Sequence, residues 1–146
     1  MRKQYKLVVH KISRGTADSH DDKPLFRLLI FQRDLDRKFA QFQSLLQRLS
    51  HSLSSSWEIS VLYYSDKIHP CIVYWSIQTA DIFLTTHGFQ STGILFMKPG
   101  SVIFEVFPYK YRKDGYRYLA YEYSVHHRYV QVNSPLYFSL SLSHQL

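Results

Sequence analysis

A chain of 146 residues with a formal net charge of +7 has room for one compact domain with a real core, and too little for two. Twelve Tyr and ten Phe in a 45% hydrophobic composition exclude a largely disordered chain, and the single Cys71 excludes an internal disulfide or a thiolate metal cluster. No run reaches the roughly 18 apolar residues of a bilayer span, and the basic start Met1-Arg2-Lys3 has no apolar segment behind it, so a membrane anchor or leader, if the protein has one, is expected outside this sequence.

In chain order, residues 1–23 read as an extension: Tyr5 to Ile12 as an additional strand, Ser13 to Lys23 as a polar loop. Residues 24–133 carry the domain. Phe26 to Arg33 is a continuous apolar run between Pro24 and Asp34, the pattern of a strand covered on both faces. Asp36 then opens a helical stretch in which Phe39, Phe42, Leu45, Leu46, Leu49 and Leu53 recur at three- and four-residue steps, ended by Ser54-Ser55-Ser56. Trp57 to Tyr64 predicts a second strand, Pro70 to Thr79 a short helix apolar on most sides, and Asp81 to Thr86 a third strand.

After His87-Gly88 a short helix is expected from about Ser91 to Met97. Pro99-Gly100 turns the chain into a strand over Ser101 to Phe107, Gly115 to about His126 predicts a helix, and Arg128 to Val132 a last strand. Residues 134–146 read as a tail. Strands alternating with helices through short loops predict an α/β domain with a mostly parallel, Rossmann-like sheet flanked by helices.

In such a sheet, ligands bind beyond the carboxyl ends of the strands, where helix N-termini point. The residues there are Gln32-Arg33, Thr86-His87-Gly88 and Phe107-Pro108. Gly88 permits a tight turn or close approach to backbone. Gln90, Ser91 and Thr92 at the following helix start are candidates to seat a diphosphate on backbone N–H groups, with Arg33 and Arg37 adding charge-assisted hydrogen bonds and His87 a bond to sugar or phosphate. On spacing alone, His87-Gly88 is more often a structural turn, and two arginines at a helix start are more often solvated charges than phosphate ligands. Glu105, in the middle of an apolar strand, needs a buried partner or faces a cavity.

Other chemistries are weakly marked. No His-x-x-x-His spacing occurs, so no metal site is expected; glycine-rich phosphate loops and the Gly-x-Ser-x-Gly elbow are also absent. Tyr109 to Tyr118 interleaves rings with Lys and Arg as a single-strand nucleic-acid surface does, although a loop packing its own rings onto the domain has the same composition. Lys and Arg occur elsewhere without a block of five or six, which argues against a nucleic-acid arm.

The segment Ala80 to Pro108, with its aspartate-led strand, His87-Gly88, Phe96-Met97-Lys98-Pro99-Gly100-Ser101 and a strand carrying Glu105 before Pro108, resembles the central motif of glycosyltransferase family 61. Leu28 to Arg37, a strand followed by two spaced arginines, and Tyr118-Leu119-Ala120 are similar to flanking parts of that family, in the same order. The resemblance covers roughly residues 25 to 130. Phe89 stands where the family has a small residue, and Gly93 where it has Asn.

The resemblance implies the C-terminal, donor-binding half of a GT-B enzyme, facing an N-terminal Rossmann-like domain that this sequence does not carry. It implies inverting transfer of a sugar from a nucleotide-linked donor, expected to be UDP-linked, to a glycan or protein acceptor, without a bound metal or other cofactor. Arg33, Arg37, His87, Gly88, Gln90, Ser91, Thr92 and Glu105 would then hold the donor, with no catalytic base assigned. Eukaryotic relatives would place it in the lumen of the Golgi or endoplasmic reticulum. A nucleotide-binding remnant without turnover and a basic nucleic-acid-binding domain are the alternative expectations.

Overall fold

The computed structural model describes residues 8–11, 26–33, 38–54, 56–63 and 68–133, the first of these segments by its backbone. Its strands are β1 (Val8–Lys11), β2 (Phe26–Gln32), β3 (Trp57–Tyr63), β4 (Ile82–Thr86), β5 (Val102–Phe107) and β6 (His126–Gln131). Its helices are α1 (Phe42–Ser52), α2 (Pro70–Gln78), a 3-10 helix (Phe89–Phe96) and α3 (Gly115–Glu122). The sheet runs β1-β3-β2-β4-β5-β6. The five strands from β3 to β6 are parallel, and β1 joins β3 antiparallel at the edge, Val8 opposite Val61 and Lys11 opposite Glu58. The expected α/β, Rossmann-like sheet flanked by helices is the architecture of the chain.

Strand alternation sorts the core into two layers. Leu28 and Ile30 of β2, with Ile59 and Val61 of β3, pack under Phe42 and Leu46 of α1. Leu29 and Phe31, with Leu62, Phe83 and Ile103, pack under Ile77 of α2, Ile94 of the 3-10 helix and Ala120 of α3. Because both faces of β2 and β4 are covered at their centres, their sequences read as unbroken apolar runs rather than alternating ones.

Several boundaries differ from expectation, each for a local reason. The expected helix over Ser91 to Met97 is a 3-10 helix that starts at Phe89 and is held by three-residue steps: Ser91 N donates to Gly88 O at 2.9 Å and Met97 N to Ile94 O at 3.1 Å. Helix α3 stops at Glu122 rather than near His126. Ser124 takes a positive φ of 55°, Val125 N turns back to Ala120 O, and His126 N pairs with Ser101 O, so His126 opens β6. Helix α1 starts at Phe42, behind Gln41 with φ 51°; the expected start at Asp36 lies outside the described residues. Helix α2 begins where expected, with Pro70 at its first position and the His69 ring accepting from Cys71 N at 3.2 Å.

Gly93 is fixed by space. A Cβ there would lie 2.9 Å from Ile77 Cδ1 and 3.0 Å from Phe83 Cε1, so any side chain there requires Ile77 and Phe83 to shift. A side chain as large as Asn at this position would have to push Ile77 and Phe83 aside. Gly93→Asn is expected to destabilise by about 2–3 kcal/mol through overpacking, read as a fall in urea midpoint at unchanged slope. A variant as stable as the parent would show that the helix shifts freely.

Candidate functional site

Counted along the chain, the parallel strands have the order 2-1-3-4-5, and the winding direction reverses between β2 and β4. Crossovers leave that point toward opposite faces, which opens a crevice beyond the carboxyl ends of these strands. Two clusters of expected site residues lie at this end of the sheet.

The first is buried. Glu105 is 0% exposed and points into the helix-covered layer containing Ile103 and Phe107. Its Oε1 accepts from His87 Nδ1 at 2.7 Å and from Ser91 Oγ at 2.7 Å, and its Oε2 accepts from His127 Nε2 at 2.9 Å. Burial acts to raise the Glu105 pKa. The hydrogen bonds from His127, Ser91 and His87, together with the electrostatic attraction of the His87 ring, outweigh it and leave the carboxyl below its ordinary value.

Each His therefore presents an N–H to the carboxylate, which fixes the hydrogen on Nδ1 of His87 and on Nε2 of His127. The His87 ring, 5% exposed, stacks on Phe107 with centroids 4.7 Å apart and lies 5.3 Å from Tyr111 and 5.6 Å from Tyr116. Between His87 and Ser91, Gly88 adopts φ 154°, ψ −166°, a region open essentially to glycine. Glu105 thus holds both sides of the Gly88 turn, one through His87 and the other through Ser91.

The second cluster is a cavity of about 610 Å3 between α2 and the 3-10 helix, floored by Phe31, Ile77 and Gly93. Arg33, Gln90 and Thr92 reach its wall, as do Cys71, Tyr74 and Phe89. Among the described residues Arg33 is the one charged group lining it, and it makes no ion pair with any of them. The Gln90 amide oxygen is shielded from solvent and, among the described residues, has no hydrogen-bond partner. Thr92 Oγ1 donates to Phe89 O at 2.6 Å. Phe89, 83% exposed, stands at the end of the turn instead of closing over the backbone. Beside Arg33, buried Gln32 donates its amide to Phe39 O at 3.3 Å and accepts from Phe39 N at 3.1 Å.

The expected site is therefore divided. Arg33, Gln90 and Thr92 share the cavity, Gly88 carries the turn, and His87, Ser91 and Glu105 are joined to one another in the interior. Arg37 lies outside the described residues. Glu105 has the partners its mid-strand position demanded. His127 and Gln32 were not singled out from the sequence. Alternation along β6 is the signal for His127: register places it opposite Ile103, on the face to which Glu105 points.

The interleaved rings and cations near Tyr109 pair among themselves. Lys110 lies over Tyr109, Lys113 over Tyr111, and Arg112 lies 4.2 Å from the Tyr129 centroid while bridging to Asp114. Among the described residues no group of three His, Cys, Asp or Glu is arranged to hold a metal ion, and no helix is long and apolar enough to cross a membrane.

Fold and site together define an α/β domain of Rossmann-like architecture with a ligand-sized cavity beside the reversal of its parallel sheet. No family model matches the chain, and no curated protein matches it significantly.

Proposed function

We propose that this chain is the donor-binding half of a glycosyltransferase, in which a nucleotide-sugar, UDP-linked by the resemblance, sits at the sheet reversal. The observation that carries the reading is that Arg33, Gln90 and Thr92 all line one cavity, next to the Gly88 turn. A diphosphate takes charge-assisted hydrogen bonds from the guanidinium and a neutral one from the Gln90 amide N–H, the Thr92 hydroxyl being spent on Phe89 O, while the base lies against the apolar wall. Sugar transfer to a glycan or protein acceptor would draw its remaining groups from an N-terminal Rossmann-like domain.

A second reading, nucleotide binding without turnover, is favoured by one feature: among the described residues no carboxylate or imidazole lines the cavity, since Glu105, His87 and His127 are turned into the interior. Both readings require donor affinity. Calorimetry with UDP and UDP-sugars at low salt is expected to detect binding, weakened roughly tenfold by Arg33→Ala, the scale of one charge-assisted hydrogen bond in a half-exposed site. Absence of heat at millimolar UDP from a folded protein would remove both. Product release on adding the separate N-terminal domain would select the first.

A further inference from the structure

The cavity between α2 and the 3-10 helix is more apolar than a diphosphate needs. Ile68, Val73, Ile77, Tyr74, Phe31 and Phe96 form most of its wall. Its volume of about 610 Å3 falls in the range of roughly 300–1,000 Å3 that encloses whole organic ligands. A pyrimidine ring fills a small part of it. Among the described residues its lining holds a single cation, Arg33, without an ion-pair partner, and the amide oxygen of Gln90, another lining residue, is shielded from water without a hydrogen-bond partner among them. A shielded amide oxygen left unpaired is costly, and its cost falls when a ligand donor reaches it.

We infer that this cavity binds an amphipathic anion: an apolar chain or ring body between α2 and the 3-10 helix, with one carboxylate or phosphate head on Arg33. The apolar body supplies the affinity by leaving water, and the guanidinium fixes which end points out. A hydroxyl or protonated oxygen near the head meets Gln90. A sugar, with polar groups on every side, gains nothing from such walls and loses its hydration. Binding of the anion does not depend on the transferase reading. Its consequence for a donor does: with the head on Arg33, the seat of the diphosphate is taken, and the two ligands exclude each other.

Cys71 supplies the probe. It is the protein's only cysteine, it is exposed, and it lies on the cavity wall. Its alkylation by iodoacetamide, followed by mass spectrometry on the full chain, reports occupancy directly. Straight-chain carboxylates from hexanoate to decanoate, below micelle formation, are expected to slow alkylation, with affinity rising roughly fourfold per methylene as each leaves water. Geranyl phosphate serves as the isoprenoid arm. Protection by carboxylates alone assigns an acyl ligand, and protection by geranyl phosphate assigns a phosphate-headed one; both support the site.

Arg33→Gln is expected to weaken protection roughly tenfold, and Val73→Trp, which fills the cavity, to abolish it. If Val73→Trp loses its circular dichroism, the chain-length series on the unaltered protein decides alone. Decanol protecting as well as decanoate would overturn the anionic head. Flat dependence on chain length, or protection by UMP equal to that by decanoate, would overturn the apolar body. Calorimetric UDP binding that weakens in decanoate shows exclusion; decanoate protection without any UDP binding leaves this site standing and removes the transferase reading.

Discussion

Glu105→Ala is expected to lower the stability of the fold by about 3–5 kcal/mol, the scale of breaking a buried charge interaction by removing one partner. Three donors lose their acceptor at once: His87 Nδ1, Ser91 Oγ and His127 Nε2. Water reaches none of them readily, because both imidazoles are almost wholly buried and Ser91 is fully so. Glu105→Gln keeps the shape and one acceptor oxygen, so its cost is expected to be about half as large.

The Glu105→Gln pair also carries a pH signature. A carboxyl whose folded pKa is lowered stabilises the native state fully above its ordinary value of 4.5. That contribution is lost as pH falls from this value through the lower folded one, since the unfolded chain binds the proton first. Urea unfolding of parent and Glu105→Gln between pH 7 and pH 3 should therefore show a constant gap at the neutral end and a narrowing gap below about pH 4.5. A gap that widens in acid would mean that burial, which pushes the carboxyl upward, outweighs its hydrogen bonds.

The second large effect is expected at Phe83. Its side chain is fully buried in β4, edge-on to Phe31 with centroids 6.3 Å apart and against the backbone of Gly93. Phe83→Ala leaves a void under the cavity floor and is expected to cost about 3–5 kcal/mol. For a domain of this size that is a fall in Tm on the order of 10 °C or more by calorimetry. A shift of only a degree or two would mean that the 3-10 helix collapses into the space and that the floor is soft.

The sheet was legible because its central strands are sealed on both sides: Leu28 to Phe31 and Ile82 to Leu84 leave no polar position to interrupt the run. What was hidden depends on direction rather than composition. Glu105 and Arg33 are both charged residues on strands or strand ends, and nothing in their neighbours states that one points into the interior and the other toward a cavity. His127 shares a dipeptide with the exposed His126, and only the pleat separates them. The cavity itself was invisible because Val73, Tyr74 and Phe96 are the same residue types that fill a core. The 3-10 geometry after Gly88 follows from Gly93, whose missing side chain lets that segment press against Ile77 and Phe83 more tightly than an ordinary helix start.

The parallel order of the sheet has a consequence in time. No two neighbouring parallel strands can pair by a hairpin; each pairing waits for a crossover to be laid down. The Glu105 cluster draws on His87, Ser91 and His127, from the turn after β4, the 3-10 helix and β6, so it closes only when the last strand docks. Interactions made after the folding barrier act on the lifetime of the native state rather than on the speed of reaching it. Stopped-flow measurements on Glu105→Gln should accordingly place the lost stability in faster unfolding, with refolding nearly unchanged. The buried carboxylate is then a latch on an already folded sheet, and its natural measure is how long the cavity wall stays closed.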